Sequence, residues 1–134
     1  MTFYLLDTNA ISELVANPSG KIARKIAEVG AGSVATSVIV SAEVAFGVEQ
    51  KGSPRLAERI ETVFSTLEVL PLAQPADSHY GALRAMFRKE GRPIGPNDLF
   101  IAAHALALGA TLVTANVREF SRVPGLKIEN WLQD

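Results

Sequence analysis

The chain has 134 residues, no cysteine and a net charge of −1, because 13 lysines and arginines nearly balance 14 aspartates and glutamates. This length fits one domain, and an apolar content of 48% is too high for a disordered chain. The absence of cysteine excludes a disulfide framework, a thiolate zinc site and a cysteine nucleophile. We therefore predict a single domain over residues 1–134.

The first half of the chain alternates short apolar runs with helical patterns. Residues 3–6 predict a buried strand, and the polar residues that follow cap a short helix ending at residue 15. A second helix is predicted over residues 21–29, a strand over 33–36 and a strongly apolar helix over 37–51. The N-terminal run is too short for a signal peptide, and no segment approaches the about 20 apolar residues of a membrane span. We expect a cytoplasmic protein that does not associate with membranes.

The second half continues the same alternation. A helix from Pro54 carries apolar residues at helical spacing as far as Leu67. The remaining predicted elements, in chain order, are a strand at 68–72, a helix at 75–89, a loop at 91–95, an apolar helix from 96 to 109, and strands at 111–114 and 126–128.

Strands that alternate with helices are typical of a parallel sheet covered by helices on both faces. We therefore predict an α/β fold with a central parallel sheet of four to five short strands. Ligands in such sheets bind beyond the carboxyl ends of the strands, near a switch in strand order. This rule points to Asp7 and to residues 114–116, since each directly follows a predicted strand.

Three carboxylates occupy positions that are unusual for solubility alone. Asp7 follows the first strand, where it is also a natural helix cap, and Asp98 lies in the first turn of a helix, where it complements the helix dipole. Glu43 has apolar neighbours at helical spacing, although it can also lie at the margin of a wide apolar face. Clustered carboxylates require a cation, and oxygen ligands without cysteine favour Mg²⁺ or Mn²⁺. Such a metal supports phosphodiester hydrolysis.

Four motifs in register resemble those of the PIN-domain nucleases and, more narrowly, of the VapC-type toxins of type II toxin–antitoxin systems. They are LLDTN at 5–9, SAEV at 41–44, PNDLFIAA at 96–103 and LVTANVREF at 112–120, and the closing residues 123–131 also look like that group. The resemblance spans essentially the whole chain. It implies a PIN-like fold, an endoribonuclease that acts on RNA, neutralisation by a VapB-type antitoxin, and self-association as a homodimer or within a larger assembly with the antitoxin.

The resemblance also implies the site residues. Asp7, Glu43 and Asp98 match the catalytic, metal-binding acids of the family. Many members carry a fourth acid where this chain has Asn116, so either Asn116 or Glu119 completes the site; Glu119 can equally be an exposed residue between two arginines. One metal is expected, with a second arriving with the substrate. The residues expected to orient these ligands are Thr8, Asn9 and Thr114.

A basic run leads into the loop before Asp98 and consists of Arg84, Arg88, Lys89 and Arg92. It predicts contact with the RNA backbone, or else a solvated helix end whose cations favour the C-terminus. His104 is expected to pack in the core. Phe46, Val48 and the helix from Pro54 are expected in the core or on a partner surface, which in the family receives the antitoxin.

Two other functions compete with a ribonuclease. A phosphoacceptor receiver domain also binds Mg²⁺ at strand ends, but the strands in the middle of the chain end at Thr36 and Leu72 without an aspartate, and no lysine follows Thr114. A non-catalytic PIN-like module that binds its partner and co-regulates transcription is consistent with Asn116, whereas the three intact acids disfavour it.

Overall fold

The computed structural model describes residues 2–133 as one sheet covered by helices. Met1 and Asp134, the two ends of the predicted domain, lie outside the described residues. The strands are β1 (Tyr4–Leu6), β2 (Val34–Ser37), β3 (Glu68–Leu70), β4 (Thr111–Val113) and β5 (Lys127–Glu129). The helices are α1 (Thr8–Ala16), α2 (Lys21–Val29), α3 (Val38–Lys51), α4 (Pro54–Phe64), α5 (Ala76–Lys89), α6 (Pro96–Leu108) and α7 (Val117–Phe120).

The sheet has the strand order β3-β2-β1-β4-β5, and all four pairs of neighbouring strands are parallel. The predicted α/β class with a central parallel sheet is therefore confirmed. The chain runs outward from β1 through β2 to β3, then returns to the other side of β1 to form β4 and β5. The order therefore switches between β1 and β4, and a switch of this kind is where open parallel sheets commonly bind ligands, beyond the carboxyl ends of the strands.

This strand order also excludes the receiver fold, whose order is β2-β1-β3-β4-β5. The sequence argument against that fold was incomplete, because it took the middle of the chain for the middle of the sheet. The central strand is β1, which Asp7 follows directly. An aspartate does stand at the end of the central strand, and the topology is what separates the two folds.

Burial explains why the three central strands contain no charged residue. All residues of β2 and β4 are buried, and Leu5 and Leu6 of β1 have no exposed surface. The edge strands β3 and β5 each begin with an exposed charged residue, Glu68 and Lys127. Helices cover both faces of a parallel sheet, so only its edges reach water and tolerate charge.

Local signals set the helix ends. Ser37 caps α3 by accepting a hydrogen bond from the Ile39 N–H at 3.1 Å, and Ser53 caps α4 in the same way from Leu56 at 3.2 Å. Gly109 ends α6 in a left-handed conformation with φ of 64°, as predicted. Such a backbone is readily adopted by glycine and costly for most other residues.

Element boundaries differ from prediction by a few residues. The strand predicted at 33–36 is shifted by one, because Ser33 belongs to a 3-10 turn over Ala31–Ser33 and Ser37 extends β2. Helix α4 ends at Phe64 rather than reaching Leu67, and the sequence did not predict the single turn α7. No helix within residues 2–133 is long and apolar enough to cross a membrane.

Candidate active site

The first predicted acid lies at the carboxyl end of the central strand, where the strand order switches between β1 and β4. Asp7 follows β1, and its backbone N–H donates to the Val113 carbonyl of β4 at 3.1 Å. Thr114, which directly follows β4, is buried. The Thr36 hydroxyl of β2 donates to the Leu6 carbonyl at 2.7 Å. Hydrogen bonds from both neighbouring strands therefore fix the point at which the chain leaves β1.

Asp7 caps α1, which confirms one of the two roles that the sequence left open. Its Oδ1 accepts from the Ala10 N–H at 3.0 Å and caps α1, while its Oδ2 accepts from the Asn9 amide at 3.0 Å. Only 3% of the residue is exposed, and this burial raises the pKa of Asp7 to about 6, with a smaller contribution from the Asp98 charge. The hydrogen bonds from Thr114, Ala10 and Asn9 oppose the shift. These hydrogen bonds orient the Asp7 carboxyl, but their donors are neutral groups that carry no compensating positive charge.

Glu43 is held at both oxygens by residues from two other helices. The Thr8 hydroxyl at the start of α1 donates to Oε1, and the Asn97 amide in the first turn of α6 donates to Oε2 at 3.3 Å. The side chain is half-buried on α3. Two neutral donors therefore orient this carboxylate from two different helices.

Asp98 is the acid that links the others electrostatically. It lies in the first turn of α6, whose N-cap is Gly95, and no side chain caps this helix. Neither Asn97 nor Asp98 caps α6, and the Asn97 amide donates to Glu43 instead. Burial raises the pKa of Asp98, and the charges of Glu43 and Glu119 raise it further.

The fourth position is divided between two residues. Asn116 is exposed, and its backbone N–H donates to the Thr114 hydroxyl at 2.9 Å. Glu119 is half-buried, close enough to Asp98 to raise its pKa, and 3.5 Å from Arg122. Asn9 accepts from the Ala115 N–H at 2.9 Å and so ties this segment to α1. Glu119 is thus more than an exposed glutamate between arginines.

The donor set fits a hard divalent cation in type, although its ligands are not fully converged. No group of three or more His, Asp or Glu side chains within residues 2–133 stands ready to hold a metal ion. Like charges repel, so full convergence of carboxylates requires a compensating cation. The pKa of Asp7 is raised in part by the Asp98 charge, and the pKa of Asp98 in part by the charges of Glu43 and Glu119. Mg²⁺ or Mn²⁺, which prefer oxygen ligands, would offset this repulsion between carboxylates.

The predicted basic run lies on the surface, from α5 to the loop before α6. Arg84, Arg88 and Lys89 are exposed on the second half of α5, and Arg92 is exposed in the loop before α6. Arg84 donates to the Tyr80 hydroxyl at 3.1 Å.

The sequence did not predict a buried polar contact behind the site. The Nδ1 atom of His104 on α6 lies 2.8 Å from the Ser37 hydroxyl, and His104 is only 1% exposed. Burial lowers the pKa of His104, while the Pro71 carbonyl opposes that shift. The predicted packing role is correct in that the residue is buried, but it carries a polar function as well. Its position among apolar residues was the only available signal.

A second cleft, of about 340 Å³, adjoins Glu43 on its other side. It lies between α1, α3 and α4, and its walls include Ile11, Val44, Val48 and Ile60. Phe46 projects nearby from α3 with 66% of its surface exposed. The structure thus places Phe46 on the surface and Val48 in a cleft wall, rather than in the core.

Comparison with known proteins agrees with this geometry. The family model of the PIN domain matches residues 4–126. "Ribonuclease VapC2" of Haemophilus influenzae is 37% identical over 133 residues, which cover 98% of this chain and all of the relative. The "tRNA(fMet)-specific endonuclease VapC" of Shigella flexneri is 35% identical over 132 residues, which cover 98% of this chain and 99% of the relative.

Solved structures give the same assignment. The DNA-bound VapBC structure from Salmonella typhimurium matches with a TM-score of 0.88 and 35% identity, and covers 98% of this chain and 99% of that chain. The VapBC2 structure from Rickettsia felis, bound to a DNA fragment from the promoter, matches with a TM-score of 0.87 and 35% identity over 97% of this chain and 99% of that chain. The chain therefore belongs to the PIN-domain family, within its VapC group.

Proposed function

We propose that this chain is a metal-dependent endoribonuclease toxin that hydrolyses RNA phosphodiester bonds in the cytoplasm and is neutralised by a VapB-type antitoxin. The observation that carries the proposal is the position of Asp98, which lines one cleft with Glu43. Burial raises the pKa of Asp98, the charges of Glu43 and Glu119 raise it further, and the Asp98 charge in turn contributes to the raised pKa of Asp7. The names of the VapC relatives, which include ribonucleases and a tRNA-specific endonuclease, support the same reaction.

The proposed cofactor is Mg²⁺ or Mn²⁺, held by Asp7, Glu43 and Asp98. When bound, such a cation lowers the pKa of water and offsets the charge that develops on the phosphate. Glu119 or Asn116 would complete the set, with Glu119 favoured by its interaction with Asp98. Three carboxylates suffice for one ion, and the phosphate oxygens of RNA would supply the ligands for a second.

The chain's own residues hold these acids in place. Thr8 and Asn97 restrain the two oxygens of Glu43, and Asn9 with the Ala10 N–H restrains those of Asp7. Outer hydrogen bonds of this kind set the orientation of ligating carboxylates, and their loss typically lowers metal affinity or activity about 10–100-fold. Thr114 contributes a further hydrogen bond to Asp7.

The proposed antitoxin contact is the cleft between α1, α3 and α4. Its apolar walls suit the apolar face of a partner segment, and Glu43 at its end places that segment beside the acids. Exposed Phe46 and Val38, 41% exposed, offer further apolar surface on α3 for self-association or for the antitoxin. The VapBC structures of Salmonella typhimurium and Rickettsia felis support an antitoxin partner.

The test is cleavage of RNA by the purified chain with Mg²⁺, with EDTA, and with Asp98→Asn. Cleavage should require the metal and be lost in Asp98→Asn, while Asp77→Asn, an exposed acid at the start of α5, serves as the matched control. Unchanged cleavage by Asp98→Asn contradicts the proposal. A calorimetric titration that detects no binding of Mn²⁺ favours the non-catalytic partner-binding alternative.

A further inference from the structure

A cleft of about 480 Å³ lies between α5 and the loop that leads into α6. Its walls include the buried residues Phe87, Ile94 and Leu99, and its exposed margin carries Arg84 and Arg88 one helical turn apart. A cleft of this volume falls within the range, roughly 300–1,000 Å³, that accommodates a ligand larger than an ion. Apolar walls beside two guanidinium groups suit a ligand that has both an apolar part and an anionic group.

The cations at this cleft are not neutralised by the protein. Within residues 2–133, Arg88, Lys89 and Arg92 form no ion pair with a carboxylate. Arg84 is held by neutral groups instead, since it donates to the Tyr80 hydroxyl and lies 6.0 Å from the centroid of that ring. A concentration of unpaired positive charge on one face is the electrostatic signature of a polyanion site.

The cleft has a rigid frame. The Tyr80 ring stacks on Phe100 of α6 with centroids 4.1 Å apart, which fixes the tyrosine that orients Arg84. On the opposite side the Arg122 guanidinium lies 4.8 Å from the centroid of Phe87 and donates to the Arg92 carbonyl, so it anchors the loop. Preorganised cations lose less conformational entropy on binding than free surface side chains.

Pro96 connects this cleft to the acids. It lines the basic cleft, and it also lines a smaller cleft of about 260 Å³ whose other walls are Glu43, Gly95, Asn97 and Asp98. A chain that lies in the basic cleft therefore passes over the start of α6 directly to the carboxylates.

The cleft on the other side of Glu43 is more apolar. It also includes two cations, Lys51 and Arg59, and the Arg59 guanidinium is turned to the protein itself, because it donates to the Val15 carbonyl at 3.1 Å and to the Ala16 carbonyl at 3.4 Å. Its remaining surface is mainly apolar. The two clefts that meet at the acids thus differ in the partner they suit, one anionic and one apolar.

We propose that the α5–α6 cleft binds the phosphodiester backbone of single-stranded RNA next to the bond that is cleaved, through Arg84 and Arg88, with Lys89 and Arg92 at its margin. This inference rests on the proposed ribonuclease function and adds the direction in which the strand leaves the acids. The apolar cleft is left to the protein partner, so RNA and antitoxin approach the acids from opposite sides.

The test measures the affinity of a labelled single-stranded RNA for the whole chain in EDTA, across a range of salt concentrations. Arg84→Ala/Arg88→Ala should weaken binding at low salt by at least about tenfold. It should also reduce the log–log salt slope by about 0.7 for each phosphate contact that is lost. The matched control is Arg24→Ala/Arg55→Ala, which removes the same charge from exposed positions on α2 and α4. It should retain the wild-type slope.

A second readout separates this inference from the proposed function. With Mg²⁺, the Arg84→Ala/Arg88→Ala chain should show a raised KM for RNA and a kcat close to that of wild type. A wild-type salt slope in that variant, or an equal loss in the control, overturns the cleft assignment even if the chain cleaves RNA. If the chain binds RNA through the cleft but never cleaves it, the cleft is supported and the ribonuclease proposal fails.

Discussion

His104 Nδ1 lies 2.8 Å from Ser37 Oγ, and this contact joins the helix that carries Asp98 to the cap of the helix that carries Glu43. Ser37 therefore serves two helices at once, because its hydroxyl oxygen also accepts from the Ile39 N–H of α3. The two acids each lie six residues along their helices from this contact. A buried polar contact between two helices constrains how they slide against one another.

Replacement of Ser37 by alanine should therefore cost more than the loss of an ordinary cap. The lost cap costs about 1 kcal/mol, and the unpaired buried imidazole adds about 1–3 kcal/mol. Ser53→Ala is the matched control, because Ser53 caps α4 but has no histidine partner. Urea unfolding should show that Ser37→Ala loses more free energy of unfolding, by at least about 1 kcal/mol. Equal losses in the two variants contradict a stabilising role for the His104 contact.

Asp7→Asn should stabilise the metal-free protein at neutral pH although it removes a proposed catalytic group. Burial raises the pKa of Asp7 from 3.8 to about 6, so the folded state binds its proton more tightly than the unfolded state. The carboxyl's contribution to stability is complete below about pH 4 and is lost as the pH rises through 6. An uncharged asparagine that keeps the cap avoids this loss, which amounts to at most about 3 kcal/mol at pH 7. The net gain is smaller, because the asparagine NH2 group cannot accept the hydrogen bond that the Asn9 amide donates to Oδ2.

Urea unfolding in EDTA checks this sign. The gain of Asp7→Asn should be largest above pH 7 and should shrink as the pH falls towards 4. Asp77→Asn, which removes an exposed acid from the first turn of α5, should instead lose a few tenths to about 1 kcal/mol. A destabilised Asp7→Asn chain at neutral pH is the result that the burial argument does not allow.

Glu119 and Asn116 should differ in their effects on metal binding. Glu119 interacts with the Asp98 charge, whereas Asn116 is exposed and its side chain carries no charge. We therefore expect Glu119→Gln to weaken Mn²⁺ binding by about 10-fold or more, and Asn116→Ala to weaken it less. Isothermal titration calorimetry measures both. The reverse order would identify Asn116 as the residue that completes the site.

Gly47 provides a direct test of the apolar cleft. It lies within α3 on the cleft wall, and a Cβ built there meets no atom within 4 Å. Gly47→Ala should stabilise the helix by about 0.5–1 kcal/mol and leave the cleft open. Gly47→Leu should project into the cleft, weaken binding of the cognate antitoxin in a titration, and preserve cleavage of RNA. Unchanged antitoxin affinity in Gly47→Leu would show that the antitoxin binds a surface other than this cleft.

The order of elements and the positions of the acids follow from local chemistry. Apolar runs of strand formers, a serine or aspartate before a helix, and glycine after it act over a few residues, and so they were readable without the fold. Asp7 was identified as both a cap and a site residue because it lies at the end of a strand. Boundaries such as Ser37 and Phe64 differed because packing against neighbours decides the last turn.

Contacts between distant residues could not be predicted in the same way. Thr8 reaches Glu43 across 35 positions, Asn97 reaches it across 54, and His104 reaches Ser37 across 67. Thr8 was expected among the orienting residues on the strength of a resemblance, but its partner was not. The contact of Asn97 with Glu43 was not predicted, because the sequence shows only the neighbours of Asn97 along the chain.

The sequence by itself determined an α/β chain with carboxylates at a strand end and at helical positions, because strand and helix periodicity are properties of neighbouring residues. Only the tertiary structure placed β1 between β2 and β4, since strand order depends on where each crossover returns. That placement turned Glu119 towards Asp98 and left Asn116 exposed. It also separated a basic cleft from an apolar one, because the packing of helices sets which side chains share a surface.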